Sequence, residues 1–460
     1  MNIAFCSSEV YPFAKTGGLA DVSGALPLNL AALGHNVKIF MPWYKGIEPD
    51  KHFDDFGIIN HQGVEVVFIK NDHFFKRDHL YTASQGDYPD NLERFSFFSR
   101  QVLKVLKELN FPPDIIHNND WQTSLISVYL KVFYKDDDFF QNAKTVLTIH
   151  NLVFQGIFDK KHFGCLDISW DYFNMHFLEF WGKINLLKGG IIFSDTITTV
   201  SPTYAKQIQK KEFGCGLEGV LKEKKENLTG ILNGIDYNVW NPKSDKLIYK
   251  NYSQSLKKKS ENKLSLQKEM GLTQDKNLLL FGMVSRLTEQ KGLDILTEAI
   301  DSILDKSQLI ILGLGDPKYH KILKEKQKSN KDKFALFIDF DEALAHKIYA
   351  SSDVFLLPSR FEPCGLSQMI SFKYGTIPLV NLTGGLADTV SDISQAGSGF
   401  TFKKYSKNNL IKAIKAAQRL FKDKNKWDLV AKNNMKKDFS WKRAAKQFLS
   451  LYQGLTGSQT

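Results

Sequence analysis

Asn2-Ile3-Ala4-Phe5-Cys6, followed after a short gap by Thr16-Gly17-Gly18-Leu19-Ala20-Asp21, gives a strand-like run, a glycine pair and an apolar stretch fit to open a helix. The same hexapeptide returns as Thr383-Gly384-Gly385-Leu386-Ala387-Asp388, again behind an apolar run, Ile377-Pro378-Leu379-Val380. Paired glycines let a backbone turn sharply and come close to a ligand. A helix N-terminus behind such a turn offers unpaired N–H groups and a partial positive charge, which suits an anion. The repeat therefore predicts two glycine-rich loops, one per domain, facing a shared ligand.

The flanking sequence supports an α/β alternation. Gly34 stops the first helix, and Val37-Lys38-Ile39-Phe40 reads as the next strand. Val64–Ile69, a strand opening at Asp114-Ile115-Ile116-His117, Thr145–Ile149, Thr196–Val200 and Leu228–Leu232 read as further strands, with helices over 91–109 and 121–134. A polar, Lys- and Ser-rich passage over 241–276 breaks the pattern. Beyond it the alternation resumes with strands over 278–282, 309–312, 334–338, 354–357 and 377–380, and the tail from Asn408 is helical around Trp427 and Trp441. Strands alternating with helices predict mostly parallel sheets covered on both faces. The fold class is α/β, with two doubly wound Rossmann-like domains and a cleft between them; ligands in such sheets bind outside the carboxyl ends of strands.

A chain of 460 residues accommodates two or three domains. Its formal charge of +11 comes from mixed runs such as Lys222-Glu223-Lys224-Lys225-Glu226, which decorate solvated helix faces, and no nucleic-acid motif accompanies them. Cys6, Cys165, Cys215 and Cys364 form no C-x-x-C pair, so neither a zinc site nor a disulfide framework is indicated. No stretch approaches the roughly 18 apolar residues of a membrane span, and no signal-peptide pattern opens the chain. These features point to a reducing cytoplasm, with no membrane and no nucleic-acid partner; the oligomeric state is not legible.

Polar residues gather just past strand ends. Glu9 and Lys15 flank the first loop, Asp120 follows Asn119, His150 and Asn151 follow Ile149, and Asn233 follows Leu232. Arg286 and Lys291 follow the strand around Phe281, and Glu362 follows the strand ending at Leu357. Two cations just ahead of a helix start oppose its dipole; a bound diphosphate would resolve the conflict, with Arg as a bidentate partner and Lys as a point charge. Two surface bases on a loop are the plainer reading. Glu362, in Arg360-Phe361-Glu362-Pro363-Cys364-Gly365-Leu366, could bind a sugar hydroxyl, steady developing positive charge, or merely enter a helix. Cys364 reads as a small turn residue. His150 and Asp120 could bond a polar substrate, although Asp120 before Trp121 also suits a helix cap. Among the aromatics Trp43, Tyr44, Trp170, Phe173, Phe177 and Trp181, core packing explains most and sugar stacking a minority. Gly313-Leu314-Gly315 is followed by Lys318, so the dinucleotide fingerprint fails and a dehydrogenase is disfavoured.

Taken in order, these segments resemble the bacterial glycogen synthase and plant starch synthase family. The resemblance is carried by Ser8-Glu9 with Lys15–Val22, Thr148–Gly156, Leu232–Asp236, Ser285-Arg286-Leu287 with Gln290–Asp294, Pro358–Leu366 and the second hexapeptide. It implies a glycosyltransferase of the GT-B type, with the active site in the interdomain cleft. It also implies transfer of glucose from ADP-glucose to the non-reducing end of an α-1,4-glucan such as glycogen, with retention at the anomeric carbon. On this reading residues 1–240 are the acceptor domain, 241–276 a linker region, 277–438 the donor domain, and 439–460 a terminal helix returning to the first domain.

The resemblance also distributes roles. Lys15 and Gly18 would contact the donor diphosphate, opposite the second loop with Thr383, Gly384 and Gly385. Arg286 and Lys291 would neutralise the leaving diphosphate. Glu362 would hold the donor glucose, His150 and Asp120 its hydroxyls and the transferring centre, Asn233 the sugar, and Glu9 and Asn151 the acceptor. Asp21, Cys364, Gly365, Leu366 and Ser367 complete the expected binding set. No cofactor and no metal requirement are expected; the acid triplets Asp136-Asp137-Asp138 and Asp339-Phe340-Asp341 lie outside the family motifs and read as surface acids. Ser367 replaces the usual Thr, and Ile370 stands where a neighbouring transferase family carries a second Glu. A UDP- or GDP-sugar transferase and a non-catalytic glucan-binding protein are the competing readings.

Overall fold

The computed structural model describes residues 1–83 and 86–457. The chain divides into two compact units, one from Met1–Asn233 with the segment from Trp441 onward, the other Gly234–Ser440.

The first unit is built on a nine-stranded sheet. In spatial order its strands are Leu228–Gly230, Thr196–Thr199, Lys144–Ile149, Ile115–Asn119, Asn2–Cys6, Asn36–Pro42, Val64–Ile69, Phe56–His61 and Lys51–His52. The first seven run parallel, and the last two form an antiparallel edge that the alternation alone did not predict. The central strands are buried over most of their length, Asn2–Cys6 through Ile3, Ala4, Phe5 and Cys6, as a sheet covered on both faces requires; Ile115–Asn119 also buries the polar His117, Asn118 and Asn119. The chain leaves Asn2–Cys6 toward one edge and returns to Ile115–Asn119 on its other side. This reversal opens a crevice at the carboxyl ends of the two strands.

The helix Trp441–Thr456 completes this core by burying Trp441, Ala444, Ala445, Phe448 and Tyr452 in it. Its tether is polar: His117 bonds the Tyr452 hydroxyl and Thr148 Oγ1, each at 2.6 Å, and Thr148 bonds Thr198 at 2.5 Å. Of the terminal range 439–460, residues 458–460 lie outside the described residues.

The second unit carries a six-stranded, wholly parallel sheet in the order Phe334–Phe337, Ser307–Leu312, Leu279–Val284, Val354–Leu357, Ile377–Asn381, Phe400–Phe402. Its reversal falls between Leu279–Val284 and Val354–Leu357.

The passage 241–276 is not a linker: it folds within the second unit, and Leu256–Glu269 is a helix. Its polarity misleads because its buried face is itself polar. Lys259 Nζ bonds two main-chain carbonyls and Thr376, Lys263 pairs with Asp353 at 2.5 Å, and Asn262 and Gln267 bond neighbouring backbone. Residues 234–240 also belong to this unit rather than the first. Ile235 N donates to Phe439 O, and Trp240 stacks on His346 with ring centroids 3.9 Å apart.

Candidate active site

In the first unit three neighbouring strands deliver three of the expected residues. Glu9 follows Asn2–Cys6, Asp120 ends Ile115–Asn119, and His150 ends Lys144–Ile149. The buried Glu9 carboxylate is fully engaged by its own chain. Oε2 accepts from the amides of Thr16 (2.5 Å) and Gly17 (3.2 Å); Oε1 accepts from the Thr16 hydroxyl (2.6 Å) and the Tyr81 hydroxyl (2.8 Å). Tyr81 also bonds Ser8 Oγ at 2.7 Å. Glu9, expected at the acceptor, is thus the anchor of the first glycine loop. Tyr81 was invisible in the sequence, because nothing local ties it to a carboxylate 72 residues away.

Beyond that anchor the loop is open. A Cβ built on Gly17 or Gly18 meets no atom within 4 Å, and Gly17 has extended backbone. The protein's own packing therefore leaves the space in front of these glycines clear for a ligand. Lys15 pairs with Asp21 at 2.7 Å with both side chains well exposed. Such a pair contributes on the order of 0–1 kcal/mol, so an arriving anion can take the ammonium at little cost.

Asp120 has left-handed backbone, with φ of 56°. Its carboxyl accepts from the His150 amide at 2.8 Å and from the Asn151 amide. Burial pushes it up to about 7, against the opposing pull of those amides and with a small push from the Glu9 charge. Burial holds His150 down at about 3, so the imidazole is neutral; Nε2 meets Asn119 Oδ1 at 2.9 Å. Asp120, His150 and Asn151 thus form one cluster. Asn151 uses its own Oδ1 locally, for the Val153 amide, and Asn233 is buried at the end of this unit.

In the second unit the two strands at the reversal, and the strand next to them, again deliver the expected residues. Lys291 Nζ lies 2.6 Å from Glu362 Oε2, with the carboxylate almost wholly buried. Ser359 Oγ donates to the same oxygen at 3.0 Å, a role that a serine three residues ahead of the glutamate does not announce in the sequence. The two turns are stitched together by Arg360 N donating to Gln290 O at 2.9 Å. Arg286 is not drawn into this pair. Its side chain is exposed and meets Gln290 Oε1 at 3.2 Å.

The second hexapeptide does different work from the first. Thr383, Gly384, Gly385 and Leu386 are all buried. A Cβ on Gly384 would sit 1.9 Å from Glu362 O, and one on Gly385 2.0 Å from Cys364 O. Gly385 N donates to the carbonyls of Glu362 and Pro363. These glycines are required by close packing beneath the Glu362 turn. Cys364 is buried in that turn, Gln368 Nε2 bonds the carbonyls of Cys364 and Gly365, and Ser367 bonds Tyr349. Leu366 precedes the helix Ser367–Lys373.

Asp341 caps the helix Glu342–Ser351, and Asp137 caps the short helix at Asp138–Phe140 and binds Lys107. Among the described residues no cluster of His, Cys, Asp and Glu could hold a metal ion, and no helix is long and apolar enough to cross a membrane.

Residues 2–223 match the family described as starch synthase catalytic domain, and residues 265–436 match glycosyl transferases group 1. Glycogen synthase of Thermosipho melanesiensis is 45% identical over 478 residues, covering 98% of both chains. The chain belongs to the glycogen and starch synthase family. The glycogen synthase of Thermotoga maritima is 44% identical, again over 98% of each chain. The catalytic domain of starch synthase IV from Arabidopsis thaliana, solved with ADP and acarbose, superposes with a TM-score of 0.90 at 34% identity, covering 99% of both chains. Sucrose-phosphate synthase from Thermosynechococcus elongatus, at 19% identity and a TM-score of 0.65, shares the fold. The two doubly wound units of this synthase-family chain are those of a GT-B glycosyltransferase.

Proposed function

We propose that the protein transfers glucose from ADP-glucose to the non-reducing end of an α-1,4-glucan, with retention at the anomeric carbon, in the cytoplasm and without a metal. The observation that carries the reading is the Lys291–Glu362 pair at the second unit's strand reversal, with Arg286 following the same strand and its exposed guanidinium bonded to the Gln290 side chain. Departure of a nucleoside diphosphate leaves negative charge on its oxygens and positive charge on the sugar. Preorganised cations aimed at the leaving oxygens are the largest plausible catalytic contribution. Lys291 and Arg286 supply them, and Glu362, held by Lys291 and Ser359, faces the donor glucose. Lys15 and the open Gly17-Gly18 loop receive the diphosphate, while Asp120, His150, Asn151 and Asn233 bind sugar hydroxyls. Glu9 acts on the loop rather than on the acceptor. The leaving phosphate takes the proton of the incoming glucan hydroxyl on the face it departs from.

Radiolabel transfer from ADP-glucose into precipitable glycogen tests this, with UDP- and GDP-glucose in parallel and EDTA in a further arm. Strict preference for a UDP-sugar overturns the donor assignment, and loss of activity in EDTA overturns the metal-free chemistry. Unchanged turnover in Lys291→Ala and Glu362→Ala overturns the site.

A further inference from the structure

In the first unit, Glu179–Phe180 and Lys183–Asn185 form a hairpin in which Phe180 pairs with Lys183, so Trp181 and Gly182 alone make the turn. Both have positive φ, 54° and 75°, the signature of a type I′ turn. That turn suits Asn-Gly, because a short polar side chain tolerates the left-handed region and a bulky ring resists it. Trp181 nevertheless takes the first position and leaves 83% of its surface in solvent. Neither turn preference nor core packing accounts for an indole there.

The ring rides on a well-fixed support. Gly182 N donates to Glu179 Oε1 at 2.6 Å, and Phe180 packs at Gly216, where a Cβ would come within 2.8 Å of its ring. Lys183–Asn185 pairs with Ile157–Asp159, Asn185 Nδ2 donates to Gln155 Oε1 at 2.7 Å, and the amides of Leu186 and Leu187 donate to Gly156 O and Gln155 O. The hairpin is therefore continuous with the segment that begins at His150 and Asn151. Phe154, on that segment, is 54% exposed.

We propose that Trp181 is a stacking platform for an α-1,4-glucan chain, a binding subsite outside the reacting centre. The apolar C–H face of a glucose ring lies well on an indole face, and the indole N–H can meet a hydroxyl. The tip carries one acid, Glu179, and one base, Lys183, which balance in charge and favour a neutral polymer over a phosphate. The proposal rests on the glucan-acceptor reading above, and glycogen retardation in native gels separates the two, since it needs no donor.

Trp181→Asn removes the ring and keeps a residue suited to the turn; Trp181→Tyr keeps a ring. Expected for Trp181→Asn is a glycogen KM and gel dissociation constant raised about five- to tenfold. The KM for ADP-glucose stays unchanged, and Trp181→Tyr stays near wild type. Wild-type glycogen retardation and KM in Trp181→Asn overturn the proposal. So does dissociation of an oligomer by that variant in sedimentation velocity at unaltered glycogen affinity, which would make the ring a subunit contact. If wild-type protein transfers no glucose, the function reading fails, and the gel still decides Trp181.

Discussion

Lys291 Nζ and Glu362 Oε2 meet at 2.6 Å across the strand reversal of the second unit, each carried on a turn that the other turn's backbone holds in place. A buried carboxylate paired in this way is sensitive to loss of its partner, since removing one ion strands the other. Lys291→Ala is expected to lower kcat about 10²–10³-fold, the usual effect of removing one preorganised donor at a developing anion. It should also destabilise by about 1–3 kcal/mol through the unpaired Glu362. The double variant Lys291→Met/Glu362→Gln should recover most of the Tm and none of the activity. Thermal melts beside initial rates check this; recovered turnover would sink the electrostatic role.

The two hexapeptides predict opposite behaviour under one substitution. Gly385→Ala drives a Cβ to within 2.0 Å of Cys364 O and should destabilise by about 2–4 kcal/mol. Gly18→Ala meets no protein atom and sits at the start of the helix Gly18–Ala32, so its Tm should match or slightly exceed wild type. On the proposed reading its KM for ADP-glucose should nonetheless rise, because the methyl enters the open space at the loop where the diphosphate would bind. Equal Tm losses in both variants would contradict the distinction.

Glu9, with Tyr81 bonded to it, anchors the first glycine loop, and on the proposed reading the two affect catalysis through that loop. Glu9→Gln places a donor among the donors of Thr16 and Gly17 and should destabilise by about 1–2 kcal/mol. Tyr81→Phe removes one of four bonds to the carboxylate and should raise the donor KM by a smaller factor with kcat nearly retained. Steady-state kinetics in ADP-glucose and in glycogen separate this from acceptor binding, in which the glycogen KM would move instead.

The pH dependence has opposing parts. Burial holds Asp120 at about 7, so the native protein keeps a proton that the unfolded chain releases near pH ~3.9. Its contribution to stability is full below that point and is lost as pH rises through about 7. Burial holds His117 and His150 at about 3, while the unfolded chain protonates them near pH ~6.5. Their contribution is full above ~6.5 and is lost as pH falls toward 3. Between about pH 4 and 6.5 two histidines outweigh one carboxyl, so Tm should rise with pH. Asp120→Asn should steepen that rise and gain about 1–2 kcal/mol over wild type at pH ~8. In wild type, kcat/KM should rise as Asp120 ionises through about 7, and the variant should lack that limb. Melts and rate profiles across pH 4–9 check both; a flat difference between the two proteins would remove Asp120 from the account.

Much of the frame was legible because apolar runs bounded by glycine and proline mark buried parallel strands. Val64–Ile69 reads directly as the strand it forms, and Glu9, Asp120, His150, Lys291 and Glu362 stand at strand ends where a doubly wound sheet places its site. What was hidden is what depends on partners far along the chain. The polar face of Leu256–Glu269 looks solvated until Asp353 and Thr376 are beside it. Two identical hexapeptides cannot be told apart until one is seen against open space and the other under the Glu362 turn. Trp43 and Trp181 are both tryptophans in the sequence, yet one is core and the other almost bare.

The tether of Tyr452 to His117 has a consequence for how the protein is made. A ribosome delivers the nine-stranded sheet early, yet the residues that seal it, Trp441 through Tyr452, emerge only after the whole second unit has been synthesised. The nascent first unit must wait with an apolar flank uncovered for about 200 residues of elongation, some ten to forty seconds at ordinary translation rates. The first half of the chain is therefore the part most in need of a chaperone, and it cannot be finished by cutting the gene at the boundary between the units.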